Sequence, residues 1–165
     1  MQVLGFGMNV DIKALSYEDE LRYLALLTVE GIKPLSRWEM DLDHGQVRTL
    51  ERLGLQISTL TRSTEWGRLI THTIFSRQRS LLQKHRSAFS GRAIIFDPQS
   101  VRREGLDFGY PPCCVEAFIE FGYQQNGLTS QEQGILFHWA CPNCEHTRML
   151  LSEYRHIYLS LISGS

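Results

Sequence analysis

All four cysteines of this 165-residue chain, Cys113, Cys114, Cys141 and Cys144, fall between positions 113 and 144. Thiols gathered in this way constrain a fold strongly, because the chain must deliver them to one place for metal or redox chemistry. They stand in two stretches, Gly109-Tyr-Pro-Pro-Cys-Cys-Val-Glu-Ala-Phe118 and His138-Trp-Ala-Cys-Pro-Asn-Cys-Glu-His146. Both stretches read as helix starts. Proline is favoured in the first helical turn, where its missing N–H leaves no bond unmade. Val115, Phe118, Ile119 and Gly122 follow Pro112 at helical spacing, and Leu150, Tyr154, Ile157, Tyr158 and Leu161 do the same after Pro142. Each pair is thus expected at or beside a helix N-terminus, where exposed N–H groups and the helix dipole favour a thiolate.

Four chemistries are open to such a set. Structural zinc takes four nitrogen or sulfur ligands, usually as two short-spaced pairs, and Cys141-Pro-Asn-Cys144 is one such pair. Adjacent Cys113 and Cys114 suit a single ion less well, because successive helical residues point about 100° apart. Both reach one ion if the first lies outside the helix, in the extended Pro-Pro entry. Otherwise His138 or His146 completes a set of three cysteines and one histidine, with His138 favoured by its even spacing to Cys141 and Cys144. An iron–sulfur cluster binds thiolates at separate corners and accommodates divergent neighbours, although no ferredoxin-type run is present. A dithiol redox site would use Cys141 as a nucleophile of lowered pKa and Cys144 as its resolving partner. Four inert buried thiols are the plain alternative, which the clustering disfavours. Zinc stands first in this order.

The string Gly109-Tyr-Pro-Pro-Cys-Cys-Val115, followed by His138-x-x-Cys141-x-x-Cys144, resembles the motif pair of a prokaryotic domain-of-unknown-function family. The resemblance covers about residues 104–155. It implies a site built from these positions without naming its chemistry.

Charge divides the rest of the chain. The net charge of −1 hides a basic middle between acidic flanks. Residues 62–103 carry Arg62, Arg68, Arg77, Arg79, Lys84, Arg86, Arg92, Arg102 and Arg103 against Glu65 and Asp97 alone. Internal pairing with the acidic ends is the first reading of this band, and a patch for a phosphate-bearing partner such as RNA is the second. No apolar run approaches the ~18–20 residues that span a bilayer, and the first residues lack the features of a signal peptide. These observations and the thiol clustering lead us to expect a cytoplasmic protein.

Along the chain, residues 2–10 suggest a strand. Ser16 reads as the N-cap of a helix with a stripe of Leu21, Leu24, Ala25 and Thr28, closed by Gly31 and Pro34. Asp43 reads as the N-cap of a second helix with Val47, Leu50 and Leu53, closed by Gly54, and residues 55–61 read as a strand. Ser63 to Phe89 fits one long helix with most basic residues on its outer face, while residues 68–75 are rich enough in Thr and Ile to form a strand instead. His72 and His85 in this segment read as ordinary surface or packed histidines. Residues 93–96 read as a short buried strand stopped by Asp97-Pro98, and 98–111 as a polar connector. The fold expected is a small α/β or α+β layer, its C-terminal third helical and carrying the four-cysteine site. Residues 1–103 would form the α/β portion and 104–165 the cysteine-bearing helical portion of one compact domain. The function expected is metal binding, zinc before iron–sulfur or dithiol redox chemistry, with a nucleic-acid-associated zinc module as a further reading. The sequence names no catalytic base: Tyr110 and Glu116 flank the first pair and could act in chemistry, but a helix-entry contact and a solvated face explain them as well.

Overall fold

A computed structural model describes residues 15–163. The strand expected at residues 2–10 lies outside this range. Within it, seven helices surround a three-stranded antiparallel sheet, an α+β architecture. The order is α1 (Tyr17–Val29), β1 (Leu35–Trp38), α2 (His44–Arg52), β2 (Gln56–Ser63), β3 (Leu69–Ser76), α3 (Arg79–Phe89), α4 (Pro98–Asp107), α5 (Pro112–Phe121), α6 (Ser130–Ile135) and α7 (Glu145–Ile162).

The helix starts follow from their caps. Ser16 accepts the N–H of Asp19, and Asp43 forms a reciprocal capping box with Gln46. β2 and β3 pair along their full length from Gln56↔Ser76 to Ser63↔Leu69, and β1 pairs on the other side of β3 from Leu35↔Ser76 to Trp38↔Thr73.

The sheet is covered on both faces. Trp38 and Phe75 on one face pack against Leu21, Leu24 and Ala25 of α1 and Leu50 of α2. Leu35, Leu60 and Ile74 on the other meet Leu82 and Phe89 of α3, Val101 of α4 and Val115 of α5. A third core joins Tyr23 and Leu27 of α1 to Ile135, Leu136 and to Leu151, Tyr154 and Leu161 of α7. Phe137 touches all three. The phenol of buried Tyr23 donates to the Ile135 carbonyl at 2.8 Å, which fixes the approach to the second cysteine pair.

Several expectations need correction. Of the two readings left open for residues 63–89, the strand holds for its first part, as β3, and a helix, α3, follows it. Residues 93–96 make one isolated bridge, Ser63↔Ala93, and Ile95 and Phe96 are 57% and 63% exposed rather than buried. Asp97 does not merely stop that segment: its side chain accepts the N–H of Ser100 and, with Pro98 in the first turn, starts α4. The segment read as a connector is therefore a helix, and Gly105 on it approaches α5 closely. β1 and α6 had no sequence signal assigned to them. No helix among the described residues is long and apolar enough to cross a membrane.

Candidate metal centre

The first pair enters on a fixed path. The chain turns after α4 at Gly109, whose φ of +74° belongs to the left-handed region. A Cβ there would lie 2.5 Å from Pro34 Cδ. Tyr110 is then buried, its ring 5.5 Å from that of His138, with the Lys33 ammonium 4.7 Å from its centroid. Lys33 also faces the rings of Phe137 and Phe108 at 5.1 and 5.5 Å and donates to the Phe108 carbonyl. Burial, then the nearby Arg37 charge, pushes its amine down to about 7. Pro111 is the N-cap of α5, so Cys113 and Cys114 lie in the first turn of that helix.

The second pair comes from a turn before α7. Pro142 does not open the helix as expected; Asn143 takes φ +56°, and Cys144 is itself the N-cap, its sulfur accepting the Thr147 N–H at 3.3 Å. The two helix starts then meet. Cys144 Sγ lies 3.5 Å from Cys113 Sγ and 3.4 Å from Cys114 Sγ, and Cys114 Sγ is 3.7 Å from Cys141 Sγ. All four sulfurs fall within 4.8 Å of one another. None of these separations is the ~2.05 Å of a disulfide, and all four thiols are free.

Adjacent Cys113 and Cys114 therefore both reach the cluster from inside the helix, without the extended entry the sequence argument required. Cys144 Sγ lies within 3.5 Å of both, Cys114 being buried and Cys113 exposed. Such a group can hold a metal ion.

No histidine belongs to the cluster. His138 is buried one contact away: its Nε2 is 2.9 Å from Thr147 Oγ1, which is 3.4 Å from Cys114 Sγ. His146 is exposed on the first turn of α7. Burial, then Lys33, pushes the His138 imidazole down to about 3, so it stays neutral. Thr147, which donates its N–H to Cys144 Sγ and places its hydroxyl between His138 and Cys114, was not anticipated.

The electrostatics reverse the order expected of a dithiol redox pair. Burial pushes the Cys144 thiol up, but hydrogen bonds from the Thr147 side chain and backbone and from Cys114 and Cys113 outweigh it and bring it down to about 7. Cys141 moves the other way, to about 11, through burial and the neighbouring Cys144 sulfur. Burial also drives the Cys114 thiol well above its ordinary range. The resolving position is the acidic one, and the expected nucleophile is not.

The remaining candidates are structural. Glu116 is exposed and makes a two-pronged ion pair with Arg102 at 2.6 and 2.8 Å. His85 is fully buried between Phe89 and Phe108, its Nδ1 2.7 Å from Asp107. His72 is buried as well. Part of the basic band is internally paired, as first expected: Arg62 with Glu104, Arg102 with Glu116 and Arg103 with Asp107. Arg68, Arg79, Lys84, Arg86 and Arg92 are exposed. Comparison with protein-family models, curated proteins and solved structures finds no match to this chain.

Proposed function

We propose that this is a zinc-binding protein in which Cys113, Cys114, Cys141 and Cys144 hold one ion that ties the start of α5 to the start of α7. The observation carrying this reading is the spacing of the sulfurs. A tetrahedral ion about 2.3 Å from four thiolates separates them by about 3.8 Å, and three of the sulfur pairs stand at 3.4–3.7 Å. An iron–sulfur cluster seats its thiolates on different irons and asks for wider spacing, so a limit of 4.8 Å among all four favours a single ion.

The location supports a structural role. α5 packs through Val115 into the core beneath the sheet, whereas α7 packs through Leu151 and Tyr154 into the core with α1. The sulfur site lies where these two units touch, so metal-binding energy becomes folding energy for the C-terminal third.

The test is elemental analysis with an ultraviolet–visible spectrum on anaerobically purified protein, followed by chelation. The expected result is a colourless protein with one zinc per chain, whose melting temperature falls when the ion is stripped and recovers when zinc is restored. A brown sample containing iron and sulfide would overturn the zinc reading in favour of a cluster. A metal-free protein that does not take up zinc would overturn the metal reading altogether.

A further inference from the structure

The basic band that the metal centre leaves unused is organised by the sheet. β2 and β3 remain paired out to Ser63↔Leu69, so the hairpin projects as a unit. Its turn is held from within: the Thr64 N–H donates to the Arg68 carbonyl at 2.7 Å, the Gly67 N–H to the Thr64 carbonyl at 2.9 Å, and the Arg68 N–H to Thr64 Oγ1 at 3.1 Å. On this fixed tip Trp66 is 89% exposed, and Leu69 beside it is 71% exposed. An indole is among the costliest side chains to leave in water.

The chain leaving α3 returns to the same end of the sheet. The Gly91 N–H donates to the Thr61 carbonyl, the Ser63 N–H to the Arg92 carbonyl and the Ile94 N–H to the Ser63 carbonyl, at 2.7–3.2 Å. Arg92 is thereby fixed next to the residue that ends β2, immediately before the turn. Arg86 lies in the last turn of α3, which feeds that return. Arg68, Arg86 and Arg92 are all exposed, and the turn's own acid is Glu65.

We propose that this end of the molecule binds single-stranded nucleic acid, with a base stacked on Trp66 and backbone phosphates contacted by Arg68, Arg86 and Arg92. An exposed indole on a rigid support offers its face to any unpaired base, and a groove of arginines follows the backbone without reading sequence. A duplex keeps its bases stacked on one another and has no face to give Trp66. The arrangement is independent of the sulfur site, so it stands whichever metal that site holds.

The probe is a fluorescein-labelled oligouridylate of about a dozen nucleotides, titrated with the full chain and followed by anisotropy. Three phosphate contacts predict a log–log slope of affinity against salt near about −2. Trp66→Ala should lower affinity about tenfold, the loss of one stacked base. Arg92→Gln should weaken binding and flatten the salt slope by about one third, whereas Glu65→Gln should strengthen binding by removing a repelling charge. All three side chains face solvent, and far-ultraviolet circular dichroism verifies that the variants are folded. No binding at about 20 mM salt would overturn the proposal. So would binding that neither Trp66→Ala nor Glu65→Gln alters, or retention by anionic phospholipid vesicles without retention of the oligonucleotide.

Discussion

At Thr147 a single hydroxyl joins the sulfur site to a buried histidine, with Cys114 Sγ at 3.4 Å and His138 Nε2 at 2.9 Å. In the tautomer with the proton on Nε2, neutral His138 donates to the threonine oxygen, which leaves the hydroxyl proton free for the Cys114 sulfur. This geometry stabilises a thiolate at the most buried of the four positions, where desolvation opposes it most strongly. Thr147→Val keeps the shape and removes both bonds. It should destabilise the metal-free protein by about 1–3 kcal/mol, since a buried imidazole nitrogen loses its hydrogen-bond partner. It should also weaken zinc binding about tenfold or more, and Thr147→Ser should restore most of it. Thermal melting gives the first quantity and competition with a chromogenic chelator the second. Affinity unchanged in the valine variant would place Thr147 outside the working of the site. The four sulfurs themselves were legible because cysteine spacing is a strong local signal. The threonine and the true place of His138 were not, because they act through one intermediate contact.

Among the elements, the same logic of local signal separates what the sequence declared from what it hid. α1 and α2 carry a capping residue, a stripe and a closing glycine, and each of these is a backbone requirement visible within four residues. β1 is four residues long, too short for alternation to show. α4 was hidden because Asp97-Pro98 reads equally as a strand stop and as a helix start, and only the Ser100 N–H resolves which. That helix matters to the site, since it sets the position of α5. A Cβ at Gly105 would lie 2.6 Å from Val115 Cγ2, one residue beyond Cys114. Gly105→Ala should therefore push α5 from α4 and destabilise by about 1–3 kcal/mol through overpacking. Gly109→Ala should cost more, adding about 1–2 kcal/mol of left-handed backbone strain to the clash with Pro34. Urea denaturation of both variants checks the order. A Gly109→Ala protein as stable as the native one would show that this turn does not hold the entry to the first cysteine pair.

Across the whole molecule, charge rather than hydrophobic pattern is what the sequence concealed. The sheet face beneath α3 and α4 carries Arg37, His72 and Arg62, and one Glu104 oxygen reaches both guanidinium groups. The sequence displays these charges but not that Arg37, Arg62 and Glu104 are buried together and paired. Burial, followed by the charges of Arg37 and Arg62, pushes the His72 imidazole down to about 4. In the unfolded chain the same group titrates near its ordinary value of about 6.5. Between those two values the unfolded chain binds a proton that the folded one refuses, so stability must fall as pH falls through this window. His138, pushed down to about 3, acts in the same direction over a longer range. Acid also protonates thiolates and releases a bound metal, so a bare acid-unfolding curve mixes these causes. His72→Gln separates them, because glutamine does not titrate and lies far from the sulfurs in the chain. Unfolding free energies measured in urea from pH 6.5 to 4 should fall less steeply in this variant than in the native protein. The difference should reach on the order of 2 kcal/mol at the acid end. Parallel curves would mean that His72 takes up its proton in the folded state, and that Glu104 compensates more positive charge on this face than the two arginines supply.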